Sequence, residues 1–273
     1  MPSAASHTID DYEPLLVALQ NVLGVVVPEG QRNNLLARIE PLLIEFKFAS
    51  LSALAKSLQN DGSGAIKAKV LETISQRQTS WYLSPDMTKV LQDYVFGQLA
   101  VNARLWVVGC GQGQLAYAVA MEIAEHTNKT NGTKKVSVFA TDGSASNIKQ
   151  AESAIYTDEQ LNTLSGDYKK LYTSKMSQSE GYQLKARVTE FVSFAQCNLT
   201  EDFQSLGKMD LIICPDALVY FSNGVKDRIL RQFSSLLKSG GIFLTGGNQM
   251  MIPGNDGLER VNHASGVFYR RKN

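Results

Sequence analysis

The sequence predicts a doubly wound α/β domain, its sheet mostly parallel and closed by an antiparallel hairpin, preceded by a small all-α domain. Three observations carry this. From Leu105 onward, short apolar runs alternate with helix-spaced segments, the pattern of strands covered by helices on both faces. Over roughly the first eighty residues, apolar positions recur only at three- and four-residue steps, and no alternating stretch appears. Between the first apolar run and the next helical segment lies Gly109-Cys110-Gly111-Gln112-Gly113, three glycines that let the backbone bend sharply.

Taken in order, Tyr12, Leu15, Leu16, Leu19, Val22 and Leu23 define a first helix, stopped by Gly24 and Pro28. A second covers residues 33–43. Ser50 or Ser52 caps a third over 51–58, and beyond Gly62 and Gly64 a fourth covers 66–74. Strands follow at 105–108, 136–141, 209–214 and 242–245, with helices at 115–124 and 225–237. Residues 259–261 and 267–270 pair as the closing hairpin. Residues 165–189 are polar and rich in Lys, Ser and Gln, consistent with either a surface excursion or a small β-insertion. The expected organisation is a helical domain at 1–78, a linker and connecting helix at 79–100, and the α/β domain at 101–273 with its insertion near 165–189.

Composition narrows the function. The 273 residues carry a net charge of +1, so no global field draws the chain to nucleic acid or to an anionic membrane. Three cysteines and three histidines are scattered without a CxxC or Cys/His cluster, and no metal site is expected. The start, MPSAASHTIDDYEP, lacks the basic and apolar regions of a signal peptide, and no apolar run approaches the roughly 20 residues that span a bilayer. A soluble, cytoplasmic protein is the expectation.

The glycine turn is the main chemical signal. Dinucleotide enzymes use GxGxxG with pyrophosphate on the following helix end. Here the spacing is GxGxG and the next helix opens Gln-Leu-Ala-Tyr, which suits a nucleoside with an amino-acid tail better than a pyrophosphate. Asp142 ends the second strand, where an acid can take both hydroxyls of a ribose, although read alone a helix-cap or turn aspartate there is the more ordinary reading. The two features together predict a nucleoside pocket. The third strand ends in Cys214-Pro215-Asp216-Ala217-Leu218-Val219-Tyr220-Phe221, at the carboxyl edge where such sheets hold ligands.

From about residue 12 to the C-terminus, these residues resemble the CheR chemotaxis-receptor methyltransferases. The resemblance rests on Leu35-Leu36-Ala37-Arg38-Ile39, Gln78-Thr79-Ser80-Trp81-Tyr82, the glycine turn with Tyr117, and Ala140-Thr141-Asp142 with Ala151 and Tyr156. Cys197-Asn198-Leu199, the run from Asp210 to Phe221, and Gly266-Val267-Phe268-Tyr269-Arg270-Arg271 follow in the family's order. The resemblance implies a Rossmann-like class I methyltransferase sheet that binds S-adenosylmethionine and releases S-adenosylhomocysteine. It implies methyl transfer to glutamate side chains on the cytoplasmic helices of a chemoreceptor. Thr79, Gly109, Cys110, Gly111, Gly113, Asp142, Asn198, Leu199, Asp216 and Ala217 are then the expected cofactor contacts, with Asp142 on the ribose and Asn198-Leu199 by the adenine. Tyr220 matches the family tyrosine near the reacting centre, and Trp81 and Tyr82 are placed to offer a π-face to the sulfonium.

The departures from the family cluster in the site. Leu83 stands where the family's linker motif has arginine, Gln114-Leu115 replaces an acidic pair, Ala116 a proline, and Pro215-Asp216 an Arg-Asn. They leave open a non-catalytic cofactor-binding signalling or scaffold homologue as the alternative; a nicotinamide-dependent oxidoreductase is disfavoured by the GxGxG spacing. Substrate docking on the helical domain has modest support, since residues 30–77 carry seven bases and four acids while 1–29 carry four acids and no base. A solvated helix surface is the more ordinary explanation of that excess.

Overall fold

The computed structural model describes residues 12–62, 64–75, 80–130, 136–177, 180–246 and 257–272. Its contacts divide the chain into two units, Met1–Gln76 with Leu218–Lys226, and Arg77–Ala217 with Asp227–Asn273.

The first unit contains α1 (Glu13–Leu23), α2 (Arg32–Glu45), α3 (Leu51–Gln59) and α4 (Ala65–Ser75). Ser50 caps α3, its hydroxyl accepting from the Ala53 N–H at 3.1 Å, as an N-terminal serine is placed to do. Leu15, Leu19, Ile39, Leu54 and Leu58 are each fully buried at its centre. Tyr220 and Phe221 pack on this cluster, and Phe221 forms an antiparallel bridge with Val25. Residues 218–226 thus leave the α/β sequence to complete the helical core.

In the second unit, α5 (Pro85–Val90), a π-helical turn at Leu91–Val95 and α6 (Phe96–Gln98) precede β1 (Arg104–Val108). Then come α7 (Gln114–Lys129), β2 (Ser137–Asp142), α8 (Ala145–Ser153), β3 (Ile155–Tyr156), α9 (Gly166–Tyr172), β4 (Thr173–Lys175), β5 (Tyr182–Leu184), α10 (Ala186–Thr189) and β6 (Val192–Gln196). β7 (Met209–Cys214), α11 (Asn223–Leu236), β8 (Leu237–Thr245), β9 (Leu258–His263) and β10 (Gly266–Arg271) close the order. The main sheet runs β6-β2-β1-β7-β8-β10-β9, parallel from β6 to β8 and antiparallel through the hairpin. That is the Rossmann-like arrangement expected from the sequence.

The continuous apolar runs have a plain cause. Leu105 and Val107 of β1 face the α7 side with Leu211 and Ile213, while Trp106 faces the other side against Phe203 and Phe233. Both faces are buried, so the runs cannot alternate.

Two segments differ from the sequence reading. Val192–Gln196 is a fifth parallel strand on the sheet edge, only half-buried, and its weak polar alternation hid it. Residues 165–189, left between two readings, form α9, α10 and two strands of a three-stranded antiparallel sheet completed by β3.

Candidate functional site

The site is built where β1 meets α7. All three glycines of the turn lie in the left-handed region, with φ of 68° at Gly109, 53° at Gly111 and 91° at Gly113. Side chains are also excluded sterically at the two outer positions. A Cβ on Gly109 would lie 2.9 Å from the Ala217 Cβ, and one on Gly113 would lie 2.8 Å from the Ala151 Cβ. The turn therefore requires glycine for conformation and for space.

The backbone of the turn is bonded to the end of β2. The Cys110 N–H donates to the Thr141 carbonyl at 2.9 Å, and the Gly111 N–H donates to Asp142 Oδ2 at 2.9 Å. Asp142 Oδ1 accepts from the Ser144 N–H at 2.9 Å and from Asn147 Nδ2 at 3.1 Å. The carboxylate is 4% exposed and points where its three donors hold it. Its bond to the Gly111 N–H means that this residue organises the turn, and a ribose hydroxyl would have to share it with these donors. Ser144 and Asn147 were not singled out from sequence; only the Asp-x-Ser pattern before a helix hinted at them.

Gln114 opens α7 and is 3% exposed, and its Oε1 atom has no hydrogen-bond partner among the described residues. A buried acceptor left unpaired costs about 1–3 kcal/mol, so a donor from water or from a ligand is called for beside the turn. The first N–H groups of a helix also lack intrahelical acceptors, which leaves this end of α7 suited to a polar group.

The other expected contacts fall as follows. Ala217 abuts Gly109, and Asp216 beside it is exposed. The Cys197 N–H donates to the Asp142 carbonyl at 3.0 Å, which brings the start of the 197–199 loop to the end of β2. The Asn198 side chain is engaged within its own turn, Oδ1 accepting from the Thr200 N–H and hydroxyl and Nδ2 donating to Glu201. Leu199 is buried. Thr79 lies outside the described residues. Tyr220 belongs to the helical unit, where its hydroxyl donates to Gln31 Oε1. Trp81 is 1% exposed, its indole N–H bonded to the Gln160 carbonyl and its ring edge-on to Tyr156, so it braces the turn from the core. Tyr82 is exposed and its hydroxyl accepts from the Ser165 N–H.

No thiol here is activated. Burial pushes Cys110 well above the ordinary thiol range, with Asp142 adding to it. Burial, then Glu201, pushes Cys197 up to about 11. Activated thiolates need the opposite shift. Among the described residues no cluster of three or more metal-binding side chains occurs.

The family model of the CheR methyltransferase SAM-binding domain matches residues 77–267. The chain belongs to the CheR methyltransferase family. A chemotaxis protein methyltransferase of Vibrio cholerae is 29% identical, covering 99% of this chain and all of that protein. One from Pseudomonas aeruginosa is 27% identical over 96% of this chain and 98% of that protein, and one from Borreliella burgdorferi 24% identical over 93% and 92%. The cofactor of this CheR-family chain is S-adenosylmethionine. The residues are compatible with it, since the cofactor's ammonium is a donor and a buried acceptor beside the turn, Gln114 Oε1, has no partner among the described residues.

Two of the departures from the family meet in space. Leu83 and Leu115 line one small cavity of about 20 Å³ with Trp81, Ala118 and Val119. The arginine and the second acid are thus replaced together by an apolar pair.

Proposed function

We propose that this protein methylates glutamate side chains of a chemoreceptor, giving the methyl ester and S-adenosylhomocysteine. The observation that carries the reading is the junction of three left-handed glycines, the Gly111–Asp142 bond and the unpartnered Gln114 oxygen at one helix start. Full-length similarity to chemotaxis protein methyltransferases supports the substrate class.

Bound S-adenosylmethionine supplies a methyl group activated on a sulfonium. Asp142 orients the ribose end, Gln114 Oε1 accepts from the ammonium, and the glycine turn gives the backbone close approach. The 197–199 loop and Asp216-Ala217 are the remaining proposed contacts, and Tyr220 is the residue carried over for the reacting centre. A glutamate side chain has a reference pKa of about 4.3 and arrives ionised at neutral pH, so its oxygen forms the new bond without a general base. As that bond forms, the C–S bond would break and its electron pair would stay on the sulfur of the departing cofactor. Holding the carboxylate in line with the methyl supplies the acceleration. The reaction is proposed for the cytoplasm; among the described residues no helix is long and apolar enough to cross a membrane.

The test incubates the protein with methyl-labelled cofactor and chemoreceptor membranes from the same cell. Base-labile label on the receptor is expected. Tight cofactor binding with no transfer to any receptor would establish the non-catalytic homologue instead.

A further inference from the structure

A turn of three left-handed glycines is intrinsically mobile, because glycine has the widest backbone freedom of any residue. A site that binds tightly needs such a turn held in its working shape before the ligand arrives. On one side, Asp142 does this by its bond to Gly111. The other brace comes from β3 and the segment that follows it.

Gln112, between two of the glycines, is gripped at both ends. Its carbonyl accepts from the Tyr156 hydroxyl at 2.7 Å, and its Oε1 accepts from Gln160 Nε2 at 2.8 Å. Gln160 is itself fixed: Oε1 accepts from the Thr157 N–H at 2.9 Å, and its carbonyl accepts from Trp81 Nε1 at 2.6 Å. Trp81 and Tyr156 are each 1% exposed and meet edge-on with ring centroids 5.0 Å apart. A Cβ on Gly113 would lie 3.1 Å from the Tyr156 hydroxyl, so the tyrosine closes directly on the turn.

We propose that Gln160 is a positioning residue of the cofactor site, acting through Gln112 to hold the glycine turn, which makes the segment after β3, just before the 165–189 insertion, a working part of that site. This rests on the cofactor pocket assigned above. Gln160 touches no ligand in this scheme; it sets the peptide planes that do.

The experiment is calorimetry of the full chain with S-adenosylhomocysteine, comparing the unmodified protein with Gln160→Ala, Gln160→Glu and Tyr156→Phe, together with unliganded melting temperatures. Gln160→Ala is expected to weaken binding about five- to tenfold, the usual scale for one lost hydrogen bond. Gln160→Glu should restore affinity to within about twofold, because the Gln112 amide can turn and donate to one carboxylate oxygen while the other accepts from Thr157. Tyr156→Phe keeps the ring and removes only the hydroxyl, so it carries the test if Gln160→Ala does not fold, and weaker binding is expected there too. Unchanged affinity alongside a lowered melting temperature would overturn the proposal, leaving Gln160 merely structural. Failure of the unmodified chain to bind would overturn the pocket itself, a distinguishable result.

Discussion

Gln114 carries a buried acceptor that a donor from outside the protein must satisfy. Its buried Oε1 finds no donor among the described residues. Replacing it by methionine of similar length removes the unsatisfied acceptor, so Gln114→Met is expected to raise the stability of the unliganded protein by about 1 kcal/mol. The same change should weaken cofactor binding roughly tenfold. Urea unfolding and calorimetry read the two effects separately, and a variant that moved both in one direction would remove Gln114 from the pocket. Asp142 is a different case, because three protein donors already converge on it. Asp142→Ala should therefore weaken binding and also loosen the turn, lowering affinity by about 1.5–3 kcal/mol and stability with it. Affinity unchanged in a folded variant would contradict this. Sequence disclosed Asp142 as an acid at a strand end, since strand and turn patterns are local. It disclosed Gln114 only as a replaced acid, because an unpartnered atom is a property of burial that spacing does not encode.

At the scale of elements, Leu83 and Leu115 show why single departures mislead. Read along the chain, each is a lost charged contact; in the fold they line one apolar cavity between the linker and α7. Glu122, also on that cavity, is already bonded to Gln92 at 2.7 Å and to the Tyr168 hydroxyl at 3.0 Å. An arginine at 83 would find no unengaged acid there. Leu83→Arg is expected to lower stability by about 1–3 kcal/mol without improving cofactor affinity. Adding Leu115→Glu should recover part of that loss, a coupling of about 1–3 kcal/mol in a double-mutant cycle followed by urea unfolding. Additive effects would show that the two positions are independent. The strongly apolar strands and periodic helices were legible because burial on both faces leaves a continuous apolar run. The half-buried edge strand Val192–Gln196 was not, and neither was the insertion, whose anchoring depends on tyrosines bonded to distant carboxylates.

For the whole molecule, ionisable groups that are harmless at neutral pH set a limit on the alkaline side. Cys110, Tyr117, Tyr156, Tyr168, Tyr172 and Cys197 all have raised pKa values, and burial is the largest cause in every case. Neighbouring acids reinforce it, Glu122 at Tyr168 and Glu125 at Tyr172. Unfolded, these groups ionise near their ordinary values of 9.0 for thiol and 10.0 for phenol. Folded, they keep their protons; Cys197 holds its own to about 11 and the others beyond that. Below about pH 8 both states are protonated and the groups leave stability unchanged. As pH rises past about 8 the unfolded chain binds fewer protons than the folded one, so stability must fall with pH. All six lie in the α/β unit, in and around the glycine turn and the insertion. The urea midpoint is therefore expected to stay flat from pH 7 to about 8 and decline from there to 11, with hydrogen exchange locating the loss in that unit. Tyr156→Phe removes one of the groups and should make the decline shallower. A midpoint that held steady to pH 11, or a decline unaffected by that substitution, would mean these side chains are not sequestered as the packing around Gln112 requires.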